Sequence, residues 1–309
     1  MKRVVVVGSS GQDGRILSER LRGEGADVLE ISREGLPERP RVNIASRQDV
    51  TSAVAGFRPQ EIYYLAAHHH SSQDNLSSDP LELLVKSIEV HVTGLLHFLE
   101  AIRTASPATR LFYAASSLIF GAPPAAIQDE ETPLNPRCAY GVTKTAGLHC
   151  CRLYRNTHGV YASAGVLYNH ESPYRQEKFV SQKIVRAAVR IQRGEQQKLV
   201  LGDLSARIDW GYAPDFVDAM TRVLALEKPD DFIIATGETH SVGEFVEVAF
   251  SLLGLDWKKW VEEDPGLLGR RNTPLTGDAS KLRALTGWKP SVTFAQMVEI
   301  LLKSHRHVP

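Results

Sequence analysis

The 309 residues predict an α/β fold: a doubly wound parallel sheet with a smaller C-terminal lobe interleaved with it. Three observations carry this. The apolar run Val4 to Val7 ends in spaced glycines, Gly8, Gly11 and Gly14, so a strand enters a tight turn and then a helix with Ile16, Leu17 and Leu21 on one side. Short apolar strands then alternate with helices to about residue 165. Beyond that point the alternation loosens. Strands apolar on both faces need helices on both faces, joined by right-handed crossovers.

In order along the chain, Val28 to Ile31 reads as a strand, Arg47 to Gly56 as a helix and Glu61 to Leu65 as a strand. Leu81 to Thr104 follows as one long amphipathic helix, and Arg110 to Ala114 as a strand. Val166 to Pro173 combines a strand with a polar loop, Val180 to Arg193 is a helix, and Pro214 to Asp218 begins another. Asp231 to Gly237 returns to the sheet, and Ser241 caps a helix to Leu253 with Glu244 in the capping-box position. The expected division is a dinucleotide-binding Rossmann domain over 1–165, with a return segment at about 212–238, and a second lobe from 166–211 and 239–309.

Lys plus Arg and Asp plus Glu are equal at 36 each, so no global field favours nucleic acid or an anionic membrane. No apolar run approaches the roughly 18 residues of a membrane span or resembles a secretory leader. Cys138, Cys150 and Cys151 form neither a disulfide framework nor a zinc pattern. A soluble protein of the cytoplasm is expected.

The three glycines have separate tasks: a tight turn, close approach of backbone to a pyrophosphate, and close helix packing, with Gln12 and Asp13 between them at the helix N-terminus. The second strand ends in Ile31-Ser32-Arg33 and lacks the acidic residue that would hold a free ribose 2′-hydroxyl. Arg33 can pair with a 2′-phosphate, which favours NADP over NAD; the alternative is a solvated loop residue. Asn43-Ile44 after the third strand and Leu65-Ala66-Ala67 after the fourth sit where carboxyl-edge loops meet adenine and ribose.

Tyr140 and Lys144 stand four residues apart on one helix face. A phenol with a pKa near 10 needs a neighbouring cation to exchange protons at neutral pH, and Lys144 with the nicotinamide charge supplies that field. Ser116, after the strand beginning at Arg110, is placed to hydrogen-bond the reacting oxygen.

The glycine loop, Leu65-Ala66-Ala67, Ser116 and Tyr140-xxx-Lys144 together resemble the extended short-chain dehydrogenases/reductases over nearly the whole chain. Within that group the sequence is most similar to the GDP-mannose 4,6-dehydratases. The matches include Gly11-Gln12-Asp13-Gly14, Asn169 to Pro173, Phe179-Val180, Lys183-Ile184, Asp209-Trp210-Gly211, Ile234 to Gly237, His240-Ser241-Val242 and Gly277 to Lys281. The resemblance implies that Asn169, Lys183 and the loop Leu201 to Leu204 hold the diphosphate end of a GDP-sugar. It also implies that His170 joins the cofactor contacts and that two long helices, Leu81 to Thr104 and Ala139 to His158, build a homodimer.

Three departures bear on the reaction. Leu118 stands where the resemblance places a catalytic glutamate, Ile208 where it places a phosphate-binding arginine, with Arg207 as the available substitute, and the arm between Arg33 and Arg41 is too short to link dimers into tetramers. Loss of the glutamate favours an NADPH-dependent 4-keto reductase of a GDP-4-keto-6-deoxy-sugar in surface polysaccharide synthesis. A GDP-sugar 4,6-dehydratase or epimerase, with Glu171 or one of His68, His69 and His70 supplying the missing group, is the rival. A non-catalytic NADP-sensing protein on the same fold is a further alternative. The His68-His69-His70 run lacks partners at ligand spacing, so no metal is expected. Cys150-Cys151 reads as helix packing, and Arg270 or Arg271 as a loop residue within reach of a substrate phosphate.

Overall fold

The structure is a computed structural model that describes residues 1–33, 41–68, 79–267 and 273–306. Strands β1 (Arg3–Val7), β2 (Asp27–Ile31), β3 (Glu61–Tyr64) and β4 (Arg110–Ser116) join the later strands Ala162–Leu167 and Asp231–Ile234 in one six-stranded sheet. All its pairings are parallel. From β1 the chain goes outward to β2, then crosses back to β3 on the other side of β1. That reversal opens a crevice beyond the carboxyl ends of β1 and β3.

Helices α1 (Gln12–Gly23), α2 (Arg47–Phe57), α3 (Pro80–Ile88), α4 (Gly94–Ala105) and α5 (Ala139–His158) supply the crossovers of the first half. Their caps follow local chemistry. Ser46 Oγ accepts from the Asp49 amide at the start of α2, Asp79 caps α3 with Pro80 following it, and Gly159 ends α5 in the left-handed conformation. In the second half come α6 (Val180–Gln192), α7 (Ala213–Ala225), α8 (Val242–Ser251), α9 (Ser280–Thr286) and α10 (Phe294–Arg306). Ser241 caps α8 through the Glu244 amide, as its sequence predicts.

Two sequence expectations need correction. No strand precedes Asn43 among the described residues 41–46; Asn43 Oδ1 accepts from the Ala45 amide, and the Ser46 amide bonds Asn43's carbonyl. These local bonds use groups that a ladder would need, so Leu65-Ala66-Ala67 follows the third strand of the sheet. The long helix from Leu81 is also interrupted, by a π-turn at Glu89–Thr93 in which the Gly94 amide reaches back five residues to Glu89's carbonyl.

Two hydrophobic cores form. The larger unites the sheet with α1, α2, α4, α5 and α7, and it recruits Leu282 of α9 and Trp288 from far down the chain. The smaller is built from α6, α8 and α10 around Ile184, Phe245, Phe250 and Leu301, with Trp210 at its edge. Between them runs a three-stranded sheet of Thr239–Ser241, Arg207–Tyr212 and Asn169–Glu171. Asn169 pairs in register with Trp210, which brings the polar ends of both strands to the crevice. Among the described residues no helix is long and apolar enough to cross a membrane, and no group of three or more His, Cys, Asp or Glu is gathered as for a metal.

Candidate active site

A cleft of about 550 Å³ lies over the carboxyl ends of the sheet. Its floor is the turn from β1 to α1. Gly8 has φ +91°, and a Cβ there would stand 2.7 Å from the Ala66 amide nitrogen. A Cβ on Gly14 would collide with Gly8's carbonyl and come within 2.6 Å of Ser9 Cα. Glycine is therefore required at both positions for the turn to lie flat against β3's loop. No side chain caps α1, whose N-cap is Gly11, so its first-turn amides and positive dipole end remain available to an anion.

Asp13 in that first turn would repel a phosphate, and the fold answers its charge. His170 Nε2 lies 3.0 Å from both Asp13 carboxylate oxygens, while its Nδ1 lies 2.6 Å from the Tyr168 carbonyl. Both acceptors lack protons, so both ring nitrogens donate and the ring is an imidazolium. Burial opposes that charge, but Asp13's field and hydrogen bond carry His170 above the ordinary imidazole range. Burial likewise works against Asp13's charge, and His170 outweighs it to hold the carboxyl below its usual value. Gln12 fastens the same corner, donating to His170's carbonyl and accepting from Ser172 Oγ. His170 also stacks on Phe216 with centroids 4.5 Å apart.

Ser116, Tyr140 and Lys144 line the cleft together, Ser116 at the end of β4 and the other two on the first turns of α5. The close contact of α5 with β4 and the turn after it depends on small residues: a Cβ on Gly147 would strike Tyr113's ring, and one on Gly141 would stand 2.5 Å from Leu118's carbonyl. Lys144 is fully buried, donates to Ala114's carbonyl at 2.7 Å, and has its Nζ 5.7 Å from the centre of Tyr140's ring. Burial pushes its ammonium down to about 7. Burial raises Tyr140's phenol well above 10, and the charge that most opposes the rise is Arg175. Sequence reading missed Arg175. Its guanidinium lies 3.6 Å from the centre of Phe179's ring, and its buried Nε makes no hydrogen bond, standing 3.6 Å from Glu171. The only sequence signal was a basic residue just beyond the Asn169 to Pro173 match.

The remaining expected residues divide. Gly11, Gln12, Arg33, Asn43, Ile44, Leu65, Ala66 and Ala67 line the cleft, as do Asn169 and Arg207. Arg41, Leu118, His68 and Ile208 also contribute to the wall. Arg207's guanidinium is tied to Thr239 and to Glu244, 3.1 Å away. Lys183 and Leu201 do not line the cleft. Lys183 lies one turn into α6, whose start brings Phe179 and Val180 to the wall, and Leu201 belongs to the smaller core. Glu171 is likewise absent from the wall, buried and accepting from Ser181 Oγ at 2.6 Å. His69, His70, Arg270 and Arg271 fall outside the described residues.

Comparison with known proteins is consistent along the whole chain. The family model described as GDP-mannose 4,6 dehydratase matches residues 5–301. GDP-mannose 4,6 dehydratase 2 of Arabidopsis thaliana is 38% identical, over 97% of this chain and 86% of the relative. GDP-mannose 4,6 dehydratase of Drosophila melanogaster is 34% identical, over 98% of this chain and 86% of the relative. Among solved structures, RMD from Pseudomonas aeruginosa complexed with NADPH shares the fold, with a TM-score of 0.85 at 21% identity over 99% of both chains.

Proposed function

Because the chain belongs to the GDP-mannose 4,6 dehydratase family, we propose that it is an NADP(H)-dependent nucleotide-sugar oxidoreductase whose reaction is reduction of the 4-keto group of a GDP-4-keto-6-deoxy-sugar for surface polysaccharide. The fit to the cofactor rests on the cradle at Gly8 and Gly14, which side chains would fill, on the uncapped end of α1, and on Arg33 and Arg41 in the same cleft wall. RMD of P. aeruginosa, with the same fold, was solved with NADPH. The two cores support a dinucleotide lobe and a sugar-nucleotide lobe, with residues 279–288 packed on the former.

The observation that carries the reductase reading is Leu118 in the cleft wall. Dehydration requires a base to take a proton from the sugar's C5 and an acid to release its C6 hydroxyl. Leucine can do neither. Among the described residues the acids lining the cleft are Asp13 and Asp209, and both are engaged. Asp13 pairs with His170; Asp209 accepts from the Thr236 amide and hydroxyl and from the amides of Gly237 and Gly277. Glu171, held by Ser181, is outside the wall.

Apart from the hydride that NADPH would supply when bound, reduction needs only residues that line the cleft. Tyr140 gives its phenolic proton to the C4 oxygen, Ser116 Oγ hydrogen-bonds that oxygen, and Lys144 and Arg175 favour the phenolate left behind. The dehydratase remains the second reading, because the curated relatives named above are dehydratases. NADPH oxidation driven by GDP-4-keto-6-deoxymannose, and lost in Tyr140→Phe, is the expected result. Oxidation with dTDP- or UDP-linked keto sugars but not the GDP-linked one would overturn the substrate class.

A homodimer is part of this proposal. Leu81, Val85 and Ile88 form an exposed stripe on α3, and Val142 and Leu153 are exposed on the neighbouring α5. Such apolar stripes on two packed helices suit a symmetric contact.

A further inference from the structure

His91 is wholly buried, yet the chemistry above does not use it. It sits in the π-turn between α3 and α4. The extra residue in that turn shifts the helical phase, so the chain passes from the exposed stripe of α3 to the buried Leu95, Phe98 and Leu99 of α4, with His91 turned inward at the change. Tyr64 Oη donates to Val90's carbonyl at 2.5 Å and fastens the turn to β3.

From this position the ring touches both walls of the site. Nε2 accepts the His68 amide at 2.9 Å, and His68 is the last described residue of the cleft-lining loop after β3. Nε2 therefore carries no proton, and the ring is a neutral Nδ1–H tautomer. Nδ1 donates to Thr143 Oγ1 at 2.7 Å, and that hydroxyl donates onward to Ala139's carbonyl at 2.9 Å. Thr143 lies on α5 between Tyr140 and Lys144. The His91 ring also meets Tyr140's ring edge-on, with centroids 5.1 Å apart.

We propose that His91 is a positioning residue that sets the distance between Tyr140 and the cleft-lining loop that leaves β3 toward His68, by joining Thr143 to the His68 amide through one imidazole. Its two nitrogens do different work. The bond to Thr143, with the edge-on ring, fixes Tyr140's approach to the reacting oxygen, and the bond to His68 fixes the loop. A buried histidine that only satisfied its own polar atoms would affect stability and leave catalysis alone.

The inference rests on Tyr140 being the reacting phenol, as proposed above, and not on which sugar reacts. Two isosteres separate the bonds. His91→Gln keeps an acceptor near the Nε2 position for the His68 amide and loses Thr143; His91→Asn keeps a donor near the Nδ1 position and releases the loop. With the full-length enzyme, His91→Gln is expected to lower kcat about 10- to 100-fold with sugar KM within about threefold, since small misplacements at a reacting centre cost that much. His91→Asn is expected to raise the KM for NADPH about 10-fold with a smaller change in kcat. Thr143→Val should reproduce the His91→Gln loss without touching the histidine, which covers the case of a poorly folded His91 variant. Unchanged kcat and KM in all three, whatever their melting temperatures, would overturn the proposal. If no nucleotide sugar turns over with the wild-type enzyme, the functional reading fails, and His91 is then judged by phenolate absorbance of the NADP⁺ complex, with Tyr140→Phe as the blank. A displaced Tyr140 titration in His91→Gln upholds positioning, and an unmoved one overturns it.

Discussion

Burial drives Tyr140 and Lys144 in opposite directions, raising the phenol's hold on its proton and lowering the ammonium's to about 7. Tyr140→Phe should cost about 10²–10⁴-fold in turnover, the usual worth of one positioned acid or base, with NADPH affinity little changed; a comparable loss of affinity would make Tyr140 a binding residue. Arg175 opposes the rise at Tyr140. His170 gives a second titration. Its folded value is raised, so the stability of its pair with Asp13 is fully present below the ordinary imidazole value of about 6.5 and is lost as pH rises through the higher folded value. Asp13's share is present above its ordinary value near 3.8 and lost as pH falls through its lower folded one. The melting-temperature gap between wild type and His170→Asn should therefore shrink as pH is raised above neutrality, and a constant gap would exclude the ion pair. Tyr140, Lys144 and the three glycines were legible because their spacing is itself the chemistry. Arg175 and His91 were not, because only tertiary folding brings them to the site.

Among the elements, the helix expected from Leu81 to Thr104 shows both the strength and the limit of periodicity. The apolar pattern gave its extent, but the phase change inside it belongs to the π-turn at Glu89–Thr93, whose cause is packing on β3 and α5. Ahead of Asn43, residues 34–40 lie outside the described residues, while at Asn43 itself a local Asx turn uses groups that sheet pairing would need. The α3 stripe leads to a direct prediction. Leu81→Glu with Val85→Glu places two charges on an exposed surface, so the monomer's fold should survive and a homodimer should not. Light scattering should give a dimeric mass for wild type and a monomeric one for the variant; a monomeric wild type would remove the dimer from the account. At the opposite corner of the sheet, Gly14→Ala forces its Cβ into Gly8's carbonyl and Ser9, and NADPH affinity should fall at least about 10-fold by fluorescence titration.

For the molecule as a whole, the parallel sheet and its carboxyl-edge cleft were legible from strand and helix alternation, whereas the assembly of the second half was not. α9 and Trp288 return to the larger core, where Trp288 Nε1 donates to Asp215's carbonyl, a contact between segments 73 residues apart that no local pattern announces. Lys183 and Leu201 lie off the cleft wall, and a sequence match does not say which face of an element meets the cleft. The two lobes meet across that cleft, with Gln12 and Asp13 bonded to Ser172 and His170, so a ligand spanning it should raise the melting temperature in proportion to occupancy. This relative of the dehydratases is proposed to reduce and not to dehydrate, because Leu118 stands in the cleft wall and the acids that line the cleft among the described residues are engaged. The most direct test gives the pure enzyme GDP-mannose with NADP⁺ in one vessel and GDP-4-keto-6-deoxymannose with NADPH in another, with products followed by mass spectrometry. The expected result is a gain of about two mass units in the second vessel, from hydride and proton added across a carbonyl, and no loss of water in the first. Dehydration of GDP-mannose at an ordinary enzyme rate would contradict it.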